Sequence, residues 1–395
     1  MTPASPAYCR PTATVAPRIR CGRHDGFTLV ELLLSMVIGM ILLAGVSMLI
    51  LQQSRGRTEL AKSSRQIENG RYAMELIHDD IKLAGFFGEY APPLSTTYVV
   101  DGATAPVALG SCADSATAPT NLGWVAGSAP TMPVPIFGYA RATTSSTTPP
   151  TPTCLTNRKP GTGILVVRRV STASYTAASV GANASLTTYL QVSTCETDPV
   201  TQPFVFATTN YIALQKACLV RAPLRKYIVR IYYISTCNVP ASGTTCTTAA
   251  DGGNPIPTLK MVEFVDGTQT VVPLVEGIED IHFDFGVDSP GGDGSPDSYK
   301  AATTTPATTL TDVEWANVVA VRTTLLARNT EPTTGYSDAK TYTLGGAGTV
   351  SPCATNPFTG AANSAAQITA CQAYPRHVYS EVTRAENISG RRELP

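Results

Sequence analysis

The sequence is poor in the residues from which active sites and nucleic-acid surfaces are usually made. Only four His occur, at 24, 78, 282 and 377. There is no H-E-x-x-H, G-x-S-x-G or Walker motif, so the usual marks of a zinc protease, a serine hydrolase and a phosphate-binding loop are missing. Gly345-Gly346-Ala347-Gly348 sits in a low-complexity loop, not between a strand and a helix, and is set aside as a phosphate cradle. His282 falls in a strand-like run and reads as a residue of a sheet face. Catalysis is therefore not expected. Basic and acidic residues balance at 29 each, without the basic stripe of a nucleic-acid binder, so no nucleic-acid partner is expected. Aromatic residues are scarce, at 7%, while Thr, Ala, Pro, Gly and Ser abound. Such a composition favours long loops around a modest core. None of the ten Cys stands in a C-x-x-C pair, and no internal repeat is found.

Two further absences organise the chain. Proline is missing from Phe27 to Ala84, and charge is missing from Leu32 to Leu51. As helix, those last twenty residues measure about 30 Å, the thickness of a bilayer's hydrocarbon core. Glu31 is the single charge at the edge of this run. An intramembrane carboxylate costs roughly 2.5–3.5 kcal/mol on insertion scales. A secretory signal places its small residue after the apolar run, whereas here Gly26 precedes it. Both oddities disappear if cleavage falls between Gly26 and Phe27 and the apolar helix stays with the mature chain. The first 26 residues hold four Arg and one Asp, so the mature chain carries 25 basic and 28 acidic residues.

Gly26-Phe27-Thr28-Leu29-Val30-Glu31 closely resembles the type IV prepilin signal. The resemblance implies a membrane peptidase that cuts after Gly26 and methylates the amine of Phe27. It also implies that Glu31 meets the N-terminal amine of the subunit ahead during assembly. Downstream, Glu68-Asn69-Gly70-Arg71-Tyr72-Ala73 and Asp80-Ile81-Lys82-Leu83-Ala84-Gly85-Phe86-Phe87-Gly88 resemble the signature of the PilW group of minor pilins. Lys82 stands where Arg is usual, and Glu89 where that group often has Cys.

The expected plan is a leader at 1–26, a transmembrane and assembly helix at 27–51, its amphipathic continuation at 52–88, and a β-rich head at 89–395. Leu60, Ile67, Gly70, Met74, Ile77, Ile81 and Ala84 make a narrow apolar stripe at helical spacing. Gly85 and Gly88 suit the turn that ends the helix. Strands are expected at Gly163–Ser171, Thr188–Ser193, Phe204–Thr208, Tyr211–Arg221, Lys226–Ser235, Thr258–Val265, Thr268–Val275, Ile278–Val287, Val318–Ala327 and His377–Thr383. Asp266-Gly267 is the strongest hairpin signal. These strands make an antiparallel sheet, giving an α+β class. The resemblance implies the type IV pilin fold, with one long helix laid across such a sheet. Runs 141–153, 301–311 and 345–364 read as surface loops.

Cys9 and Cys21 lie in the leader, leaving eight Cys that read as disulfides. Short loops cost least to close, so the pairs expected are Cys112–Cys154, Cys195–Cys218, Cys237–Cys246 and Cys353–Cys371. Asp288, Asp293 and Asp297 mark an acidic turn where PilW relatives often carry a run that looks like a calcium loop. A solvated acidic turn and a weak calcium site both remain open; no other cofactor is expected.

The resemblance implies a minor pilin, held in the inner membrane with its head in the periplasm and then built into the tip of a type IV pilus. Its implied partners are the prepilin peptidase, other minor pilins, the major pilin and a tip adhesin. A minor pseudopilin of type II secretion is the alternative, and a membrane-anchored periplasmic binding domain a more distant one.

Overall fold

The structure is a computed structural model. It describes residues 27–92, 96–99, 122–124, 130–139, 141, 152, 154–180, 188–198, 203–289, 292–302 and 310–393. The chain divides into two units, residues 1–58 and 59–395.

Helix α1 runs from Leu29 to Leu83 without a break, as the missing prolines allow. In the first unit its apolar side chains, from Leu29 to Leu51, are exposed. A stripe on one side would suit a groove in a protein; apolarity all round suits lipid or neighbouring helices. In the second unit α1 buries one face, formed by Gln66, Gly70, Ala73, Met74, Ile77, Asp80 and Ile81. These recur every three or four residues, the spacing of one helix face. The helix ends where Gly85 and Gly88 take φ values of 71° and 66°, and Gly85 N–H donates to Arg168 O.

The second unit contains fifteen described strands: β1 Thr97–Val99, β2 Thr131–Pro133, β3 Ile136–Tyr139, β4 Ile164–Val170, β5 Tyr189–Val192, β6 Phe204–Ala207, β7 Leu224–Ser235, β8 Thr258–Val265, β9 Thr268–Glu276, β10 Ile278–Val287, β11 Ser298–Ala301, β12 Val318–Arg328, β13 Tyr342–Thr343, β14 Thr349–Val350 and β15 Arg376–Arg384. The single antiparallel sheet expected from the sequence is in fact two main sheets. One has four strands in the order β11-β10-β12-β15. The other has seven, with the twelve-residue β7 pairing with β4, β5 and β8 through different parts of its length. Both are antiparallel. Two small two-stranded pairs, β1-β2 and β13-β14, complete the described strands. Asp266 and Gly267 join β8 to β9 with φ of 55° and 71°, the doubly left-handed turn that matches strand twist.

Tyr211–Arg221 is not a strand. Cys218 sits at φ 59° and is tied to Cys195, and its N–H turns back to Gln215 O. Only an isolated bridge, Leu214 to Arg221, survives of the expected pairing. The disulfide and the left-handed residue convert an apolar run into a tight loop.

β4 and β10 are buried along their whole length. Trp124 stacks on Phe206 and meets Phe87, Phe204 and Tyr227 edge-on, and Trp315 packs on Phe137 and Phe285. Both tryptophans of the chain sit at the centres of these two clusters. Disulfides close Cys195–Cys218, Cys237–Cys246 and Cys353–Cys371. Cys154 is also disulfide-bonded; Cys112 lies outside the described residues.

Candidate functional site

The residues expected to serve cleavage and assembly, Gly26, Phe27 and Glu31, fall at the start of α1 or just before it. Gly26 lies outside the described residues, and Phe27 is exposed. Thr28 and Glu31 cap the helix reciprocally. Glu31 N–H donates to Thr28 Oγ1 at 3.3 Å, while Glu31 Oε2 accepts from Thr28 N–H and Oγ1 at 3.3 Å. This is a capping box, which satisfies helix-end donors left over at any N-terminus. The T-x-x-E spacing carried that signal in the sequence. Glu31 therefore has a partner within its own chain, which lowers the cost of placing a carboxylate next to an apolar helix. It keeps Oε1 for another donor.

On the docked face the decisive residue is Asp80, which in the sequence is one letter of a signature with no role attached. It is 3% exposed. Its Oδ1 accepts from Arg169 Nε at 3.2 Å and Arg230 Nη1 at 2.9 Å, and its Oδ2 from Tyr232 O–H at 2.5 Å. Arg230 also bonds Glu263. The cluster joins α1 to β4, β7 and β8. Burial works against the charge of Arg230, but Asp80, Tyr232 and Glu263 more than offset it, so its pKa lies above the ordinary value. Burial and Asp80 together hold the Tyr232 phenol well above its usual range. Gln66 Nε2 donates to Ala327 O and Pro375 O, and Asn69 Nδ2 to Glu276 O. These bonds index the helix along the sheet, because each requires one position of the helix against one strand end.

A second ionic cluster lies under the C-terminal loops. Arg376 Nε donates to Glu279 Oε2 at 2.5 Å and Nη1 to Asp338 Oδ2 at 3.4 Å. Arg376 also touches both sulfurs of Cys353–Cys371. Lys159 Nζ lies 3.8 Å from Glu279. Burial would raise the Glu279 pKa, but Lys159, Arg376 and Arg328 pull it down to about 2.

His282 is buried on β10 with Nε2 2.9 Å from Asp284 Oδ1. Asp284 also accepts from Gly346 N–H. The glycine run thus receives a carboxylate of its own chain, and His282 helps hold that loop.

The three acidic residues of the 288–297 turn each accept a hydrogen bond from a backbone amide of that turn. Asp288 is buried, with Oδ2 accepting from Gly294 N–H at 3.1 Å and lying 3.3 Å from Arg392. Asp293 and Asp297 lie nearer the surface and accept from Ser295 and Ser289 N–H. Asp288 Oδ1 has no hydrogen-bond partner among the described residues, but a calcium ion needs six to eight oxygens. Among the described residues no three His, Cys, Asp or Glu are grouped as a metal site. The turn caps its own amides, and its buried carboxylate is matched by Arg392.

Residues 22–47 match the prokaryotic N-terminal methylation motif, and residues 231–387 match the type IV pilus-assembly protein W family. These are the matches of a PilW-type type IV pilin. The PilW match spans β8, β9, β10 and β12 and ends just beyond β15, so it takes in the four-stranded sheet on which Gln66 docks. The methylation motif and the apolar helix fit a membrane-anchored pilin. A type IV-like pilin from Thermus thermophilus is similar at 12% identity and a TM-score of 0.18, over 40% of this chain and 79% of that one. No curated protein matches the chain.

Proposed function

We propose that this PilW-type chain is a minor pilin of the type IV pilus, placed in the tip complex that starts assembly and lying beneath another minor pilin. The carrying observation is Glu31: a carboxylate capped through one oxygen by Thr28, at the head of a helix whose apolar side chains are exposed all round. An amine of a subunit ahead is the cation that such a carboxylate lacks in a membrane. The outermost subunit has nothing ahead of it and no use for Glu31. A head of about 300 residues with long Thr/Pro-rich runs crowds a regular shaft, which favours an end position. The prepilin peptidase, the major pilin, other minor pilins and a tip adhesin are its partners in this reading, and its chemistry is assembly, not catalysis. The chain starts in the inner membrane with its head in the periplasm and finishes at the pilus tip.

Two variants test this. Gly26→Val leaves the precursor uncut, read by intact mass. Glu31→Ala is cut and methylated normally but lowers surface pili sharply. Normal piliation in Glu31→Ala, or even immunogold labelling along filament shafts, defeats the placement.

A further inference from the structure

The four-stranded sheet stops at β15, and among the described residues no strand pairs with its outer side. Which backbone groups are left over is fixed by the register. β12 and β15 pair so that Ala320 faces Arg384 and Arg328 faces Arg376. Just beyond each end the same register continues with hydrogen bonds, from Ala385 N–H to Val319 O and from Asn329 N–H to Pro375 O. In an antiparallel ladder, hydrogen-bonded and non-hydrogen-bonded pairs alternate. The odd-numbered residues of β15 therefore bond to β12. The even-numbered residues Val378, Ser380, Val382 and Arg384 turn their N–H and C=O groups outward. Long bare edges are templates for another strand, and proteins usually shorten, cover or bulge them. This one is nine residues long, with no register shift.

A groove of about 450 Å³ runs beside the edge, between α1 and β15. Its walls are Arg71, Met74, Glu75, His78 and Asp79 from the helix and Tyr379, Ser380 and Glu381 from the strand. One arginine faces three carboxylates there, and His78 is engaged with Glu381 and Thr383. On the other face of the strand, Val382 is 50% exposed. Outward amides and carbonyls select an extended backbone, and the surplus of carboxylates selects basic side chains on it.

We propose that the outer edge of β15 and this groove receive an extended, Lys- or Arg-bearing segment of another filament subunit as an added strand. The partner's identity as a filament subunit rests on the assembly role proposed above; the strand addition does not.

Residue-resolved amide exchange tests it on the full-length processed chain, first alone in detergent micelles and then extracted with the filament subunits that accompany it. Alone, Val378, Ser380 and Val382 exchange fast while Tyr379, Glu381 and Thr383 exchange slowly; in the complex the first three slow at least tenfold. Val382→Pro removes one outward N–H and no bond to β12, a change that edge strands tolerate. It is expected to keep its unfolding midpoint and lose at least tenfold in recovery with the subunits, and Val382→Thr behaves as the parent. Unchanged exchange in a complex that does form, or full recovery of Val382→Pro, overturns strand addition and leaves the assembly role standing. If Val382→Pro fails to fold, exchange in the unaltered chain decides. Recovery of no filament subunit overturns the assembly role and the partner with it. Protection in the isolated chain that rises with its concentration shows pairing between copies and overturns a different subunit as the partner.

Discussion

Acid should loosen the head through one carboxylate more than any other, Glu279. Its side chain is 4% exposed and sits against Arg376, with Lys159 and Arg328 also acting on it. Burial is outweighed by these three cations, and the pKa falls from 4.5 to about 2. The folded value lies below the unfolded one, so between the two the unfolded chain binds more protons. Stability from this group is therefore fully present above about pH 4.5 and is lost as pH falls through about 2. A gap of this size corresponds to about 3 kcal/mol, at 1.36 kcal/mol per unit. Glu279→Gln removes the titration. It also leaves Asp338 as the one carboxylate, among the described residues, still paired with the buried Arg376, and breaking a buried pair costs about 3–5 kcal/mol at neutral pH. The assay is urea unfolding of parent and variant from pH 7 to pH 2, followed by head fluorescence. The stability difference is expected to be nearly constant above pH 5 and to shrink by about 3 kcal/mol between pH 4.5 and 2. A difference that stays flat across that range would refute the argument, because the carboxylate would then carry the same charge preference folded and unfolded.

Gly70→Ala places a methyl 2.6 Å from Cζ of the Tyr379 ring, so the ring or the helix must shift; thermal unfolding should show a loss of about 1–3 kcal/mol, restored in part by shortening Tyr379 to Leu. Millimolar calcium should leave the melting temperature of the purified chain unchanged, since Asp288 is already matched by Arg392; a clear rise that Asp293→Ala removes would establish a metal site.

The parts of this chain that are legible in sequence are those specified locally. The bounds of α1 come from missing prolines and two glycines, and the β8–β9 hairpin from Asp266-Gly267. Runs rich in Val, Ile and Tyr, seven to twelve residues long, such as β4 and β7, announce themselves. β2 and β3 do not, since three or four residues between prolines carry no readable alternation. The two-sheet arrangement also escapes, because period-two patterning says which face is buried and not which sheet a strand joins. Buried charge is the largest omission. Arg168 and Arg169 look like the solvated end of a strand, and Asp80 like part of a polar helix face. Only when the fold brings residues 80, 169, 230 and 232 together does each find the partner that permits its burial. The Glu31 cap is readable, since its Thr28 partner lies three residues away; the outward edge of β15 is not, because strand order is a property of the whole sheet.

The disulfides have a consequence for biogenesis. Cys195–Cys218, Cys237–Cys246 and Cys353–Cys371 each join cysteines that are neighbours in the sequence. If the head crosses the membrane from its N-terminal end, as the function proposed above requires, these thiols emerge in the order in which they pair. An oxidant that joins each thiol to the next one to emerge makes the native bonds directly, with no shuffling step to wait for. Formation of these three bonds should therefore depend on a thiol oxidase and be indifferent to a disulfide isomerase.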